Sequence, residues 1–529
     1  MKISKIFLSS VLACLCACNC STDKPANNGG DTPGTGETPK PEVTIKDVVA
    51  YVTTADSRQQ FAKESFDFGK AGSMSPIQIR FDKTALADQS VDGFGLAVTT
   101  SSCYNLLKMS QADRTAFLEE TFSPEKGAGM SLIRVSIGAS DFCLDDNYTW
   151  CDKEGLENFA VHSEDKNYLF PVLKEIYAIN PDVKIIGSPW SCPLWMKCPM
   201  PGRDDRDASK FNVPVTDETT YNSWTGGRLK PSCYDDYAEY FVKWIQVMEK
   251  EGFDIHAITM QNEPLNPGNS MSLVMPWQDQ KEFIKHLGPA MQKAGLDDVQ
   301  ILLFDHNYNY DDKDGQIDYP LNIYADPEAY RWADGSAWHA YGGFVTELDE
   351  INAEYPEKSI YFTEASIGEW IGGWEDKWSF NFLSNCLVND FSSIFLGTLK
   401  RGGQGVTLWN LMLDDKRGPF SRHDGSCKTC YGGVTINSAD YKTIVKNSHW
   451  FNCAHASSVI KRGARMMKTD TFDMPHGFEC QMFLNPDNTV GAVMCNNTGA
   501  AQSVVFANDK FTVKYSVPAK SIVSLLWQE

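Results

Sequence analysis

A chain of 529 residues, with 22% charged and 12% aromatic side chains, is long enough for a large core and two or three domains. Its formal net charge of -21 would repel nucleic acid and anionic lipid, so neither is expected as a partner, and the charge serves solubility. Fourteen tryptophans and twenty tyrosines exceed what a plain scaffold needs; such residues line ligand grooves, although most must also be core.

Residues 1–17 read as a targeting signal. Lys2 and Lys5 give the charged start, and Ile6 to Ala13 form an apolar stretch too short to span a bilayer. The run Cys14-Leu15-Cys16-Ala17-Cys18-Asn19-Cys20 resembles a bacterial lipoprotein leader. The resemblance implies lipidation of Cys18, after the small Ala17, with Cys14 as second choice; an ordinary cleaved secretion signal is the alternative. Either way the mature protein is expected to be exported, and with a lipid it would be anchored at a bacterial outer membrane or cell surface. That anchor is the one membrane contact expected. Residues 18–43, rich in Gly, Pro, Thr and Asn, cannot bury a core and read as a flexible tether.

Short alternating stretches follow over residues 44–85, such as Val48–Val52 and Ile77–Phe81, and read as strands too few to form a domain alone. Over residues 90–457 the pattern becomes strand, loop, helix, repeated. The predicted strands are Phe94–Val98, Leu132–Ile137, Lys184–Pro189, Ile255–Met260, Gln300–Phe304, Ser336–His339, Ile360–Thr363 and Val406–Asn410. Asp235–Glu251 and Trp277–Ala294 are the clearest helices, with apolar residues three and four apart. Eight strands alternating with helices predict an α/β fold, a (β/α)8 TIM barrel. Residues 458–529 turn strand-like again: Phe478–Phe483, Thr489–Cys495, Ser503–Phe506, Phe511–Val517 and Ser521–Trp527. They predict an accessory β-sandwich completed by the N-terminal strands.

Sixteen cysteines are present, four of them in the leader region. Cys427-Lys428-Thr429-Cys430 is a CxxC with no second CxxC or His pair to complete a zinc site, so it reads as a disulfide or two free thiols. Cys143 with Cys151, and Cys192 with Cys198, are other loop pairs whose connectivity is open. The nine histidines show no metal-ligand spacing, and no metal or other cofactor is expected. The protein is expected to be a monomer.

Two predicted strands end in a glutamate. The run Ile255 to Met260 leads into Gln261-Asn262-Glu263-Pro264, and the run Ser359 to Thr363 ends on Glu364. Strands four and seven of a barrel open onto one mouth. Two carboxyl groups there suit glycosidic bond cleavage with retention, which needs them roughly 5–5.5 Å apart. A lone Glu is usually a solvated surface charge, but one closing a buried strand must have partners.

Met260-Gln261-Asn262-Glu263-Pro264 resembles the acid/base motif of clan A retaining glycosidases, and Phe362-Thr363-Glu364-Ala365 their nucleophile strand. Asp92-Gly93-Phe94-Gly95, the stretch Ile133 to Phe142 and the stretch Gly187 to Lys197 are similar to blocks of glycoside hydrolase family 30, the family of glucosylceramidases and β-1,6-glucanases. The similarity runs from about residue 90 to the C-terminus. It implies Glu263 as acid/base and Glu364 as nucleophile, with Asn262 on the substrate 2-hydroxyl. Arg134 would lie beside Glu364 and hold it ionised, while Glu263 would sit in a drier, less cationic place that lets it carry a proton. The resemblance also places Asp141, Trp190, His339, Tyr341 and Trp409 around the sugar. Asp141 would accept from hydroxyls, Trp190 and Trp409 would offer flat faces, and Tyr341 would bond Glu364. Trp409 reads alternatively as barrel core and His339 as a structural histidine.

Leu96 and Thr100 depart from the first motif, which touches local packing only. Ala340 stands where ceramide-cleaving members carry an aromatic, which leans away from a lipid aglycone. The expected activity is endo-cleavage of β-1,6-glucan. Glucosylceramidase, exo-β-glucosidase or xylanase action on the same machinery, and a non-catalytic sugar-binding surface protein, are the competing readings.

Overall fold

The computed structural model describes residues 48–69, 77–144, 146–204, 206–308, 315–371 and 383–528. The expected signal peptide, Cys18 and the tether lie outside the described residues. Eight parallel strands form the central sheet: β1 (Gly93–Leu96), β2 (Leu132–Ser136), β3 (Lys184–Ser188), β4 (Ile255–Thr259), β5 (Gln300–Asn307), β6 (Gly335–His339), β7 (Ser359–Glu364) and β8 (Gly405–Leu408). They pair in the order β1-β8-β7-β6-β5-β4-β3-β2. A parallel bridge between Ala97 and Arg134 brings β1 onto β2 and closes the barrel. Gly95 permits that closure, because a Cβ there would overlap the Leu132 carbonyl oxygen.

Leu132, Ile186, Ala257, Leu302, Ala337 and Tyr361 are fully buried and fill one layer inside the barrel. Side chains alternate along a strand, so residues two further on point inward again, one layer nearer the C-terminal mouth. Those residues are Arg134, Ser188, Thr259, His339 and Thr363, all polar and all buried. On β5 the phase shifts: an irregularity between Phe304 and His306, with φ of 71° at Phe304 and 69° at Asp305, coincides with Asp305 joining this layer. The interior is thus apolar below and hydrogen-bonded above.

The helices pack outside. Tyr234–Lys250 and Trp277–Ala294 follow β3 and β4, and the second ends on Gly295 in the left-handed conformation, φ 75°. No helix among the described residues is long and apolar enough to cross a membrane.

Outside the barrel, nine strands form a second sheet, and three sheets of two or three short strands lie apart from it. Val48–Thr54 lies between Ala62–Phe66 and the C-terminal Ser521–Gln528, and Ile77–Ser90 lies between Arg465–Phe472 and Gln502–Ala507. The sheet folds on itself around a second core. Trp527 packs edge-on against Phe81 at 6.1 Å and lies 5.8 Å from Phe506, both on strands distant from its own in the sheet order. The buried helix Ser448–Ser457 joins this layer to the barrel, where His455 hydrogen-bonds Ser524 Oγ at 2.9 Å and Thr53 Oγ1 at 2.8 Å.

Candidate active site

The polar inner layer is one connected network. Arg134 donates from Nε to Ser188 Oγ (3.1 Å), from Nη1 to Glu364 Oε2 (2.6 Å), and from Nη2 to Asn262 Oδ1 (2.9 Å) and Asp305 Oδ2 (2.7 Å). Asp305 also bonds Thr259 Oγ1 and Thr363 Oγ1, each at 2.6 Å, and His339 Nε2 at 3.1 Å. Four charge-assisted bonds of this kind hold the Asp305 carboxyl far below the usual carboxylate range, against the opposing effect of its burial. Asp305 escaped the sequence reading because the predicted strand stopped one residue short, at Phe304. The signal was the same as for Glu263 and Glu364: an acid closing an apolar run.

Glu263 and Glu364 stand above this layer, both buried. One oxygen from each, with a ring nitrogen of His339, lie within 4.8 Å of one another. That separation falls on the retaining side of the gap between the two glycosidase geometries, since an inverting pair must leave room for a water. Glu263 has φ 45°, a strained value for a non-glycine residue, and its NH donates to the Asp305 carbonyl at 2.9 Å. Tyr341 Oη lies 3.0 Å from Glu364 Oε1 and 2.9 Å from Ser366 Oγ, while the residue as a whole is 44% exposed.

The electrostatic expectation for the two acids is corrected. Burial would raise the Glu263 carboxyl, but the charge of His306, the hydrogen bond and charge of His339, and the Asn266 amide bring it to about 2. Asn266 and Asn269 donate to its Oε2 at 2.8 and 2.7 Å, contacts the sequence reading missed. Glu364 is raised by burial and by the charge of Glu263, with His339 and Arg134 opposing. In the resting site Glu263 is therefore the carboxyl with the cationic surroundings, and Arg134 does not by itself settle Glu364.

His339 lies between two carboxylates. It is fully buried, with Nδ1 3.2 Å from Glu263 Oε1 and Nε2 3.1 Å from Asp305 Oδ1. A ring facing a carboxylate oxygen at each nitrogen is satisfied as imidazolium, or as neutral imidazole if Glu263 holds the shared proton. Burial disfavours its charge, but Glu364, Asp305 and Glu263 outweigh this and raise its pKa to about 9. With both nitrogens engaged, His339 has no group left for a sugar, which corrects its place among the sugar-binding residues. Glu263, His339 and Glu364 are also the group among the described residues that could ligate a cation. A cation there would compete with the imidazolium for Glu263 and meet Arg134 across Glu364.

The two indoles also differ from expectation. Trp190 and Trp409 are each 2% exposed, stacked on one another at 4.9 Å, with the Arg134 guanidinium 4.9 and 5.6 Å from their rings. Their rings thus pack on each other and against Arg134. Asn262 gives its oxygen to Arg134, which leaves Nδ2 to donate. Asp141 lies at the rim, partly exposed; burial and the charge of Glu364 push its carboxyl well above the usual range, toward the neutral form. The structure thus gathers Arg134, Asn262, Glu263, His339, Tyr341 and Glu364 by direct bonds, stacks Trp190 and Trp409 under Arg134, and sets Asp141 at the edge.

Of the cysteine pairs, Cys427–Cys430 is a disulfide, whereas Cys143, Cys151, Cys192 and Cys198 are free thiols.

Comparison with known proteins gives a consistent picture. The profile of the glycosyl hydrolase family 30 TIM-barrel domain matches residues 91–460, and that of the family's beta sandwich domain matches residues 463–525. The chain is 30% identical over 447 residues to "Endo-1,6-beta-D-glucanase neg1" of Aspergillus fumigatus, covering 82% of this chain and 83% of that protein. It is 24% identical over 466 residues to "Lysosomal acid glucosylceramidase" of Mus musculus, covering 83% and 81%. Among solved structures, "The endo-beta1,6-glucanase BT3312" superposes with a TM-score of 0.84 at 46% identity, over 91% of this chain and 99% of that one.

Proposed function

Because the chain belongs to glycosyl hydrolase family 30, we propose that it is an endo-acting β-1,6-glucanase that cleaves by double displacement, with Glu364 as nucleophile and Glu263 as acid/base. The observation that carries the mechanism is the approach of the two carboxylates within 4.8 Å at the barrel mouth. The linkage rests on the 46% identity to an endo-β1,6-glucanase across nearly the whole chain.

In the first step a Glu364 oxygen forms a bond to the anomeric carbon as the glycosidic C–O bond breaks, and Glu263 gives its proton to the leaving oxygen. That proton comes from the Glu263–His339 hydrogen bond: moving it from Nδ1 to Oε1 leaves a neutral imidazole still donating to Asp305. Glu364 is neutral once esterified, so its negative field on Glu263 disappears, and Glu263, ionised after giving up its proton, can take one from water. The water attacks the anomeric carbon and releases Glu364. Asn262 Nδ2 donates to the sugar 2-hydroxyl, and Asp141 binds hydroxyls at the rim.

A substrate screen tests the linkage. Purified protein should release β-1,6-linked oligosaccharides early from β-1,6-glucan, with little action on β-1,3-glucan, β-1,4-glucan, xylan or glucosylceramide. Glucose as the sole early product, or faster turnover of another polymer, would overturn the reading.

Export and lipidation at Cys18 belong to the same proposal, supported by the leader sequence. Metabolic labelling with a fatty acid should mark the wild-type protein and spare Cys18→Ser; label retained in that variant would move the anchor to another cysteine.

A further inference from the structure

One loop after β8 touches three of the loops that carry the site. At its start the Ser421 NH donates to the Asp141 carbonyl at 2.8 Å, and its Oγ donates to Asn147, which in turn donates to Ser270 Oγ at 2.7 Å. Gly425, with φ 97°, lies so close to Gly268 that a Cβ would overlap the Gly268 carbonyl oxygen; this is the loop whose Asn266 and Asn269 hold Glu263. The Cys427 main-chain NH faces the Asp141 carboxyl and opposes the rise of its pKa. Cys430 and Tyr431 then pair with Gly368 and Ile367 just after Glu364, and Glu369 NH donates to the Thr429 carbonyl at 3.0 Å.

The Cys427–Cys430 disulfide joins two of these anchors, one on Asp141 and one on the strand beyond Glu364. Lys428 and Thr429 between them are exposed, so no core packing fixes the distance that the covalent link fixes. The other ten cysteines among the described residues are free thiols. We propose that the Cys427–Cys430 disulfide is a clasp that positions Asp141 for the sugar, by tying the loop whose Ser421 bonds the Asp141 main chain to the segment following Glu364. Both cysteines are positioning residues. They act through Asp141 and the loop and do not touch the reacting atoms.

The test uses the full chain carrying Glu364→Gln and the trisaccharide of β-1,6-linked glucose as probe, so it rests on the glucanase reading for its ligand. Dithiothreitol converts the disulfide to two thiols while closing into its own cyclic disulfide, and alkylation followed by mass measurement confirms that both sulfurs are free. Reduction should weaken trisaccharide binding about tenfold in Glu364→Gln and less than twofold in Glu364→Gln/Asp141→Ala. Adding Cys427→Ser/Cys430→Ser to Glu364→Gln should give the reduced affinity and abolish the response to reductant. Equal weakening with and without Asp141, as general loosening would give, or no weakening with both thiols alkylated, overturns the clasp. A readout that needs no sugar separates the two proposals: amide exchange over residues 139–144 and 427–431 should speed up on reduction. Faster exchange in a protein that does not bind the trisaccharide would count against the glucan reading and leave the clasp standing, whereas unchanged exchange with both thiols alkylated would overturn the clasp.

Discussion

Asp305 and His339 matter at the scale of single residues as much as the two glutamates they sit beneath. Asp305 is the shared counter-ion of Arg134 and His339, and all three side chains are fully buried. Asp305→Ala would leave two buried cations short of a partner, and we expect it to cost about 3–5 kcal/mol of stability, measured by urea unfolding. A loss within experimental error of zero would remove Asp305 from this role. The pH profile of kcat/KM should be bell-shaped. Its acid limb belongs to Glu364, whose raised pKa requires activity to be lost, as pH falls, above the ordinary glutamate value. Its alkaline limb belongs to the proton held between Glu263 and His339, lost as pH rises through about 9. His339→Gln removes the partner that shares the proton with Glu263 and leaves His306 as the nearby cation, and the alkaline limb should then move down by about one pH unit or more; an unmoved limb would contradict the shared proton. Glu263 and Glu364 were legible in sequence because each closes an apolar strand, whereas Asn262 and Arg134 were singled out by the family resemblance. The burial of the indole faces, and the engagement of both His339 nitrogens, depend on partners from other strands, which no local pattern encodes.

Among the elements, the barrel strands were the most legible, because four- to eight-residue apolar runs between helices have few other readings. The phase shift in β5 was not, since a bulge leaves the composition of the run unchanged and alters only which side chains face inward. In the outer sheet, Ala62–Phe66 and Arg465–Phe472 were absent from the sequence reading, and Ile77–Ser90 extends nine residues past the predicted end at Phe81. These stretches are largely exposed or half-buried and rich in charged and polar residues, so alternation is faint. The helix Ser448–Ser457 carries a prediction of its own. His455 has no charged partner in its hydrogen bonds to Ser524 and Thr53, and burial lowers its pKa to about 3. The unfolded chain takes up that proton below about 6.5 while the folded chain does not, so the stability is fully present above 6.5 and is lost as pH falls toward 3. At pH 5 the loss is roughly 2 kcal/mol from this group. In His455→Gln the drop in unfolding free energy between pH 7 and pH 5, measured by urea unfolding, should shrink by that amount; an unchanged drop would contradict the assignment.

The whole molecule has an apolar core that passes from the barrel into the outer sheet without a break: Phe483, Val493, Cys495 and Ile522 of the sheet belong to the same buried cluster as the barrel helices. We therefore expect barrel and sheet to melt in one calorimetric transition, and two well-separated transitions would contradict a shared core. That shared frame keeps eight strand ends in register so that two glutamates a hundred residues apart in sequence meet over one polar layer. The claim on which the account depends is that their spacing makes the enzyme retaining. Proton NMR of the reaction in its first minutes reports the configuration of the newly formed reducing end before mutarotation mixes it. The account predicts the β-anomer first, with α appearing only later; the α-anomer first would show inversion and contradict the roles given to Glu263 and Glu364.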